Sequence, residues 1–364
     1  MVTRSKRTVE GKELGLGKKL KIGNETQVKV EGISRSVKIE SDPEIKNEVK
    51  NSLISEISSK EDVKVKLEHI KVEIETEEIP PNVFPRVAPE DSEVGPKNWS
   101  SIYNEIVSMR SKFMAPVDTQ GCERMPNTIN PNVKTRNPRV YRFQLLISLM
   151  LSSQTKDEVN FQAMKNLQTG LLAKGFADGL CIEAVLGLTE KEIDGYICKV
   201  GFHNRKSTYI KQACLILQEK FNGDIPKTIE DIVTLPGVGP KMGYLLLQNG
   251  WGINSGIGVD VHLHRLAQMW GWTSKNVKTP EHTRLELEKW LPEKYWADIN
   301  PLLVGFGQVI CVPRASNCDI CSLGSKGLCK SSNKKLTKGT ITTDRLSKLM
   351  KQRADLSKLI SENI

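Results

Sequence analysis

Two short stretches decide the fold of this chain: LPGVGPKM at residues 235–242, and VDVH at residues 259–262. The first places glycines and prolines between two apolar helical patterns, which is typical of a tight turn that joins two helices. The second opens another helix with an aspartate, a residue favoured at helix starts. Together they predict a helical hairpin over about 228–250 and, after a loop, a further helix.

The turn of this hairpin offers a site for an anion. Gly237 and Gly239 permit backbone geometries that other residues resist, and Pro240 suits the first position of the second helix. Free amides and the helix dipole at that helix start favour a phosphate. Because such a hairpin is a general motif for non-specific binding of the DNA backbone, Gly237 and Gly239 are predicted DNA contacts.

Lys241 lies at the N-terminus of the second helix, where two roles are open to it. It can bind phosphate as a cation, or it can attack carbon, because the positive potential at a helix start favours the neutral amine. The loop over 251–259 is long enough to return the chain to the same end of the hairpin. Asp260 can therefore face the same cleft, either as a plain helix cap or as a catalytic carboxylate as well.

The hairpin, followed by SGIGVDVHLHRL at residues 255–266, resembles the endonuclease III family of DNA glycosylases. The resemblance implies that Lys241 is the nucleophile, that Asp260 is essential to catalysis, and that His262 contacts DNA. It also implies an all-α fold of two lobes with a helix-hairpin-helix and a C-terminal iron–sulfur cluster loop. Val261 departs from the family, which usually has threonine at this position.

Two further motifs extend the resemblance to DNA contacts. The stretch LMLSSQTKD, at residues 149–157, implies that Gln154 fills the gap left by an extruded nucleotide. The stretch GFHNRK resembles a second wedge loop, in which Phe202 presses into the base stack and Arg205 and Lys206 meet phosphates. The alternatives are a polar helix end for Gln154 and an ordinary core position for Phe202.

Four of the eight cysteines lie in one short stretch, with gaps of six, two and seven residues between them. They are Cys311, Cys318, Cys321 and Cys329. Structural zinc sites usually present two close pairs, whereas four thiolates fit a [4Fe–4S] cluster. The family carries such a cluster, usually with a last gap that is two residues shorter. The resemblance implies a [4Fe–4S] cluster that stiffens a loop and displays Arg314 and Lys326 toward DNA.

Residues 1–97 are predicted to form a disordered tail. They contain 18 Lys+Arg and 19 Asp+Glu but a single aromatic residue, Phe84, before Trp99, so they bury too little surface to offset chain entropy. An aliphatic-Lys-x-Glu pattern occurs five times and looks like the consensus for SUMO attachment, although a tail of this composition generates it by chance. The predicted acceptors are Lys29, Lys38, Lys46, Lys66 and Lys71.

The whole chain carries a formal charge of +10, which suits a polyanionic partner. No apolar run approaches membrane-spanning length, and no apolar secretory signal opens the chain. The basic start suits a nuclear address or a mitochondrial presequence, and Glu10 and Glu13 disfavour the second. We expect a monomer that binds damaged duplex DNA, no membrane contact, and a nuclear location with the mitochondrion as an additional possibility.

Helical patterns and the resemblance together predict the domains. A barrel lobe covers 140–274, a second lobe with the cluster combines 98–139 and 275–330, and a basic amphipathic tail covers 331–364. For the tail, contact with DNA is favoured over docking on the protein's own surface. The resemblance implies a bifunctional DNA glycosylase and abasic-site lyase for oxidised pyrimidines. The alternatives are an adenine-removing relative, which generally lacks a lysine at position 241, and a non-enzymatic DNA-binding protein.

Overall fold

The computed structural model describes residues 26–28, 37–39, 83–88 and 95–363. The chain divides into two compact units, Met1–Pro80 and Pro81–Ile364. In the first unit, strands β1 (Thr26–Val28) and β2 (Val37–Ile39) pair in antiparallel register. Of the predicted SUMO acceptors, Lys38 lies in β2. Those outside the described residues are Lys29, Lys46, Lys66 and Lys71, and the basic N-terminal start also lies outside them.

The described part of the second unit contains only helices, which confirms the all-α prediction for this unit. In chain order its α-helices are α1 (Trp99–Arg110), α2 (Pro116–Gln120), α3 (Met125–Ile129), α4 (Val133–Arg136), α5 (Pro138–Ser152), α6 (Asp157–Ala173), α7 (Ile182–Leu186), α8 (Glu190–Ile197), α9 (His203–Lys220), α10 (Ile229–Ile232), α11 (Pro240–Leu246), α12 (Val261–Trp270), α13 (Pro280–Leu287), α14 (Trp296–Val309), α15 (Ser322–Ser325), α16 (Lys334–Lys338), α17 (Thr343–Leu349) and α18 (Ser357–Ser361). A π-helical segment, Leu247–Trp251, continues α11, and 3₁₀ turns lie at Glu293–Tyr295 and Cys318–Ile320. Among the residues described, none of these helices has the length and apolar character needed to cross a membrane.

Two hydrophobic cores define two lobes in this unit. The barrel lobe buries apolar side chains between Met125 and Leu247. The terminal lobe combines residues 84–117 with residues 257–360, so the two ends of the described unit meet in one core. The predicted two-lobed fold is confirmed. The chain passes from one lobe to the other before α3 and again after the π-helical segment.

The lobe boundaries differ from the predicted ones in two places. The short helices α3 and α4 lie in a stretch predicted for the second lobe, yet Met125 and Val133 pack in the barrel core. Helix α12 was predicted in the barrel, yet Leu263 and Leu266 are buried in the terminal core. An apolar helical face requires a partner but does not specify which of two cores supplies it.

Packed structure also begins before the predicted boundary at residue 97. Phe84 and Val87 are buried in the terminal core. The Val87 N–H donates to Asn104 Oδ1 at 2.9 Å, which fixes this segment on α1. The predicted disordered tail is therefore corrected for residues 83–88, where two apolar side chains are buried in the core, and for residues 26–28 and 37–39, which pair as strands.

The C-terminal tail docks on the terminal lobe as three short helices, α16 to α18, instead of one amphipathic helix. Its buried side chains in that core are Leu349, Leu356, Leu359 and Ile360. Arg345 pairs with Asp319 at 2.6 Å, and Arg353 reaches Glu158 of the barrel lobe at 2.5 Å. The structure thus supports the docking alternative and corrects our preference for a DNA contact.

Leu349→Ala should lower the free energy of unfolding by about 2–4 kcal/mol, because it deletes a fully buried side chain. The matched control is Met350→Ala, which truncates a side chain that is 60% exposed and should change this energy by less than ~0.5 kcal/mol. Urea unfolding of both variants beside the parent protein makes the comparison. Equally small effects of the two substitutions would contradict a docked tail.

Candidate active site

The helical hairpin is formed by α10, a tight turn and α11. Gly243 lets the two helices touch, since a Cβ there would lie 2.4 Å from Ile229 Cδ1. Gly237 has a φ of 77°, and a Cβ on it would lie 2.6 Å from the Tyr209 ring, so this turn requires glycine. Gly239 is the N-cap of α11 and faces open space. The amides of this helix start are therefore accessible to a ligand.

The two predicted catalytic residues stand at the starts of two helices. Lys241 is half-buried in the first turn of α11, and Asp260 is buried at the N-cap of α12. Asp260 Oδ1 accepts the Leu263 N–H at 2.8 Å, so the predicted cap is present. The cap uses only Oδ1 of Asp260, so Oδ2 remains available to interact with a substrate.

The His262 imidazole lies within the electrostatic reach of both Lys241 and Asp260. Burial lowers the pKa of His262, Asp260 opposes that effect, and Arg265 and Lys241 add to it. Lys241 belongs to a barrel-lobe helix, whereas Asp260 and His262 belong to a terminal-lobe helix. The structure thus brings the predicted nucleophile and the predicted carboxylate together at the junction of the lobes.

A second carboxylate near Lys241 has no clear signature in the sequence. Asp157 opens α6, and Gln308 Nε2 of the other lobe donates to its Oδ2 at 2.7 Å. Burial raises the pKa of Asp157, whereas the Gln308 hydrogen bond, Arg353 and Lys241 lower it. One sequence signal could have indicated Asp157. It is the last residue of the stretch at 149–157, which carries part of the family resemblance, and it lies three residues after Gln154.

The two predicted wedge loops form one unit. Gln154 and Phe202 both have left-handed backbones, with φ of 54° and 58°, and both side chains are exposed, that of Phe202 by 64%. Gly201 packs on the Gln154 carbonyl oxygen, and its N–H donates to Thr155 Oγ1 at 3.1 Å. Because the Phe202 side chain is exposed, the alternative that Phe202 occupies an ordinary core position is excluded.

Lys206 is buried, which corrects the predicted phosphate contact. Its Nζ donates to the carbonyls of Leu151 and Ser153, both at 2.7 Å, and these carbonyls lie at the end of α5. Burial lowers the pKa of Lys206 to about 8. Arg205 beside it is exposed and remains available to a ligand. Lys206 therefore holds the two wedge loops together.

The four predicted ligand cysteines are free thiols that line one cavity of about 40 Å³. Apolar side chains, including those of Trp270 and Phe306, complete its wall. Arg265 Nη2 donates to the Cys311 carbonyl at 2.5 Å, which ties the cysteine loop to α12. Arg314 is exposed in this loop, whereas Lys326 is paired with Glu105.

Comparison with known proteins first gives the class of protein. Residues 147–293 match the HhH-GPD superfamily of base excision DNA repair proteins. Among solved structures, a non-covalent endonuclease III–DNA complex is 23% identical, with a TM-score of 0.48, and the match covers 62% of this chain and 99% of that one.

Relatives of known name define the family within this class. The chain is 50% identical over 247 residues to an endonuclease III homolog of Schizosaccharomyces pombe, a match that covers 68% of this chain and 66% of that protein. It is 44% identical over 248 residues to endonuclease III homolog 2 of Saccharomyces cerevisiae, covering 66% of this chain and 64% of that protein. It is 45% identical over 234 residues to mouse endonuclease III-like protein 1, covering 64% of this chain and 73% of that protein. The chain belongs to the endonuclease III family of the HhH-GPD superfamily.

Lys206→Met should lower the free energy of unfolding by about 1–3 kcal/mol, because two helix-end carbonyls lose their donor. Arg205→Met changes the same charge on an exposed neighbour and should leave the stability unchanged. Urea unfolding of the two variants measures the difference. A Lys206→Met protein as stable as the parent would rule out the capping role.

Proposed function

We propose that this chain is a bifunctional DNA glycosylase and abasic-site lyase that removes oxidised pyrimidines in base excision repair. The observation that carries the proposal is the meeting of Lys241 and Asp260 around His262 at the junction of the two lobes. The partner is damaged double-stranded DNA, and the protein acts as a monomer.

The first chemical step releases the base. The target nucleotide leaves the base stack, because its sugar is otherwise out of reach of Lys241. The neutral amine attacks C1′ of the sugar, and the bond between C1′ and the base breaks with its electron pair on the base. The Asp260 carboxylate stabilises the positive charge that develops on the sugar, as carboxylates do in glycosidases.

The second step cuts the strand. The sugar ring opens, and the Lys241 nitrogen becomes part of a Schiff base with C1′. This linkage acidifies the C2′ hydrogens, so removal of one of them expels the 3′ phosphate by β-elimination. One lysine therefore serves both base release and strand cleavage.

The remaining site residues bind the duplex. Gly239 faces open space at the hairpin turn, where the amides can receive a backbone phosphate. Gln154 and Phe202 are exposed on joined loops, which suits filling the gap in the duplex and wedging into the base stack. Arg205 and Arg314 carry exposed positive charge for phosphates.

The cysteine loop is proposed to hold a [4Fe–4S] cluster. The four cysteines line one cavity, and four thiolates fit such a cluster, whereas structural zinc sites usually present two close pairs. Burial raises the pKa of Cys321 to about 12, so a thiolate there requires a cationic partner. When bound, the cluster supplies rigidity to the loop that carries Arg314.

Two proposals for the N-terminal segment rest on the sequence alone. The SUMO acceptors are proposed to be Lys29, Lys38, Lys46, Lys66 and Lys71. The basic start is proposed as a nuclear address, with the mitochondrion as an additional destination.

Lys241→Arg and Lys241→Gln separate a nucleophile from a phosphate-binding cation. Both should abolish borohydride trapping on abasic DNA, because neither side chain forms a Schiff base. Lys241→Arg should keep the affinity for duplex DNA, since it keeps the charge. Trapping yield and fluorescence anisotropy give the two readouts. Trapping of Lys241→Arg at the parent yield would overturn the nucleophile assignment.

The purified protein should contain about four irons per chain, as a Cys₄-ligated [4Fe–4S] cluster requires. Cys318→Ser should lower the iron content and the melting temperature, while Cys198→Ser, an exposed thiol outside the cavity, should change neither. Mass spectrometric metal analysis of anaerobically prepared protein measures both iron and zinc. One zinc per chain without iron would refute the cluster.

A further inference from the structure

A half-buried carboxylate that the proposed mechanism leaves unused lies at the start of α6. Gln308 Nε2 donates to Asp157 Oδ2 at 2.7 Å, and Gln308 Oε1 accepts the Val117 N–H at 3.1 Å. Because both ends of the Gln308 amide are engaged, the amide has one preferred orientation, with its NH₂ group toward Asp157. The carboxylate is therefore held in place from the opposite lobe.

Helix α14 brings this carboxylate to the catalytic junction. Gly307, which precedes Gln308, packs against His262, since a Cβ on Gly307 would lie 2.6 Å from His262 Nδ1. That nitrogen is buried and, among the described residues, has no hydrogen-bond partner. Consecutive residues of one helix thus contact His262 and Asp157, so the two side chains line neighbouring parts of the cleft.

The ionisable groups around Asp157 come from both lobes. They are Lys241, His262, Arg353, Glu158, Cys122 and Glu123. Burial raises the pKa of Asp157, and Gln308, Arg353 and Lys241 limit that rise. A carboxyl group whose pKa is raised by burial, within the electrostatic reach of the Lys241 amine, suits the uptake and return of a proton.

Asp260 is placed for a different task. Its Oδ1 accepts an amide hydrogen at a helix start, where the backbone dipoles stabilise negative charge. Asp157 lies at the lobe junction beside a neutral amide donor. Two carboxylates in unlike surroundings can divide the work, so that one stabilises the positive charge on the sugar while the other exchanges protons.

We propose that Asp157 is the proton-transfer residue for the Lys241 amine and that Gln308 is its positioning residue. This proposal rests on the proposed function. After the amine has bonded to C1′ and the base has left, the new secondary ammonium gives a proton to the Asp157 carboxylate. The nitrogen lone pair then forms the C=N bond while the C1′–O4′ bond breaks. Asp157 returns the proton to O4′ and is again a carboxylate.

Asp157→Asn tests this role in the full-length protein on duplex DNA with one abasic site. We expect single-turnover cleavage about 100-fold slower near neutral pH, because proton transfer by a positioned side chain is lost. The parent rate should fall as pH drops through the titration of Asp157, and the variant should lack this acid limb. The matched control is Glu158→Gln, which removes the same charge from an exposed neighbour and should retain the rate near neutral pH and an acid limb, moved only to lower pH because Glu158 raises the pKa of Asp157.

Gln308→Leu provides an independent test should Asp157→Asn fold poorly. Loss of the Gln308 hydrogen bond should raise the pKa of Asp157 further, so the acid limb should move to higher pH while the rate recovers in alkaline buffer. A purely structural role would lower the rate equally at every pH and would overturn the positioning assignment.

The outcomes separate this inference from the proposed function. If the parent protein is not trapped on abasic DNA by borohydride, the proposed function fails. If the parent is trapped and Asp157→Asn keeps the parent rate and acid limb, the proton-transfer role is overturned while the function stands.

Discussion

The buried guanidinium of Arg110 holds the terminal lobe together, and the geometry of the catalytic junction depends on it. Arg110 binds Asp118 at 2.7 Å and donates to the carbonyls of Phe113 and Leu302. Gly305 provides the room, since a Cβ there would lie 2.4 Å from Arg110 Nη2. Loss of either charge would leave the other buried without its ionic partner, at a cost of about 3–5 kcal/mol. The contacts at Leu302 and Gly305 fix α14, and the next turn of this helix reaches the catalytic junction.

The positions of Lys241 and Asp260, the proposed catalytic pair, were predictable because their signals are local. Lys241 and Asp260 each stand at a helix start marked by nearby Pro, Gly or Asp, and the four cysteines follow a short spacing that the cavity then confirms as one group. Asp157 was not predictable in the same way, because its partner Gln308 is 151 residues away. Such a contact exists only after both lobes have packed, and no local pattern records it.

The incorrect predictions share one physical cause, which is that local patterns do not show what a side chain meets. Arg205 and Lys206 are adjacent basic residues, and only the rotation of α9 turns one outward and the other toward the end of α5. In the C-terminal tail, the amphipathic pattern was predicted, but a free amphipathic face and a docked one have the same sequence pattern. The structure supplies the partner, a core that also buries α1 and α14.

The burial of Lys206 also accounts for the backbone strain at the wedge loops. Gln154 and Phe202 hold left-handed conformations that cost on the order of 1–3 kcal/mol each and persist only when the surroundings enforce them. The Lys206 hydrogen bonds to residues 151 and 153, together with the Gly201 contact on Gln154, supply that enforcement from the protein side. Because both loops are already ordered, the proposed insertion of Gln154 and Phe202 into a duplex would require little further loss of conformational freedom. Lys206 thus shapes the two loops from inside the protein, which is how it would serve the proposed DNA recognition without contacting a phosphate.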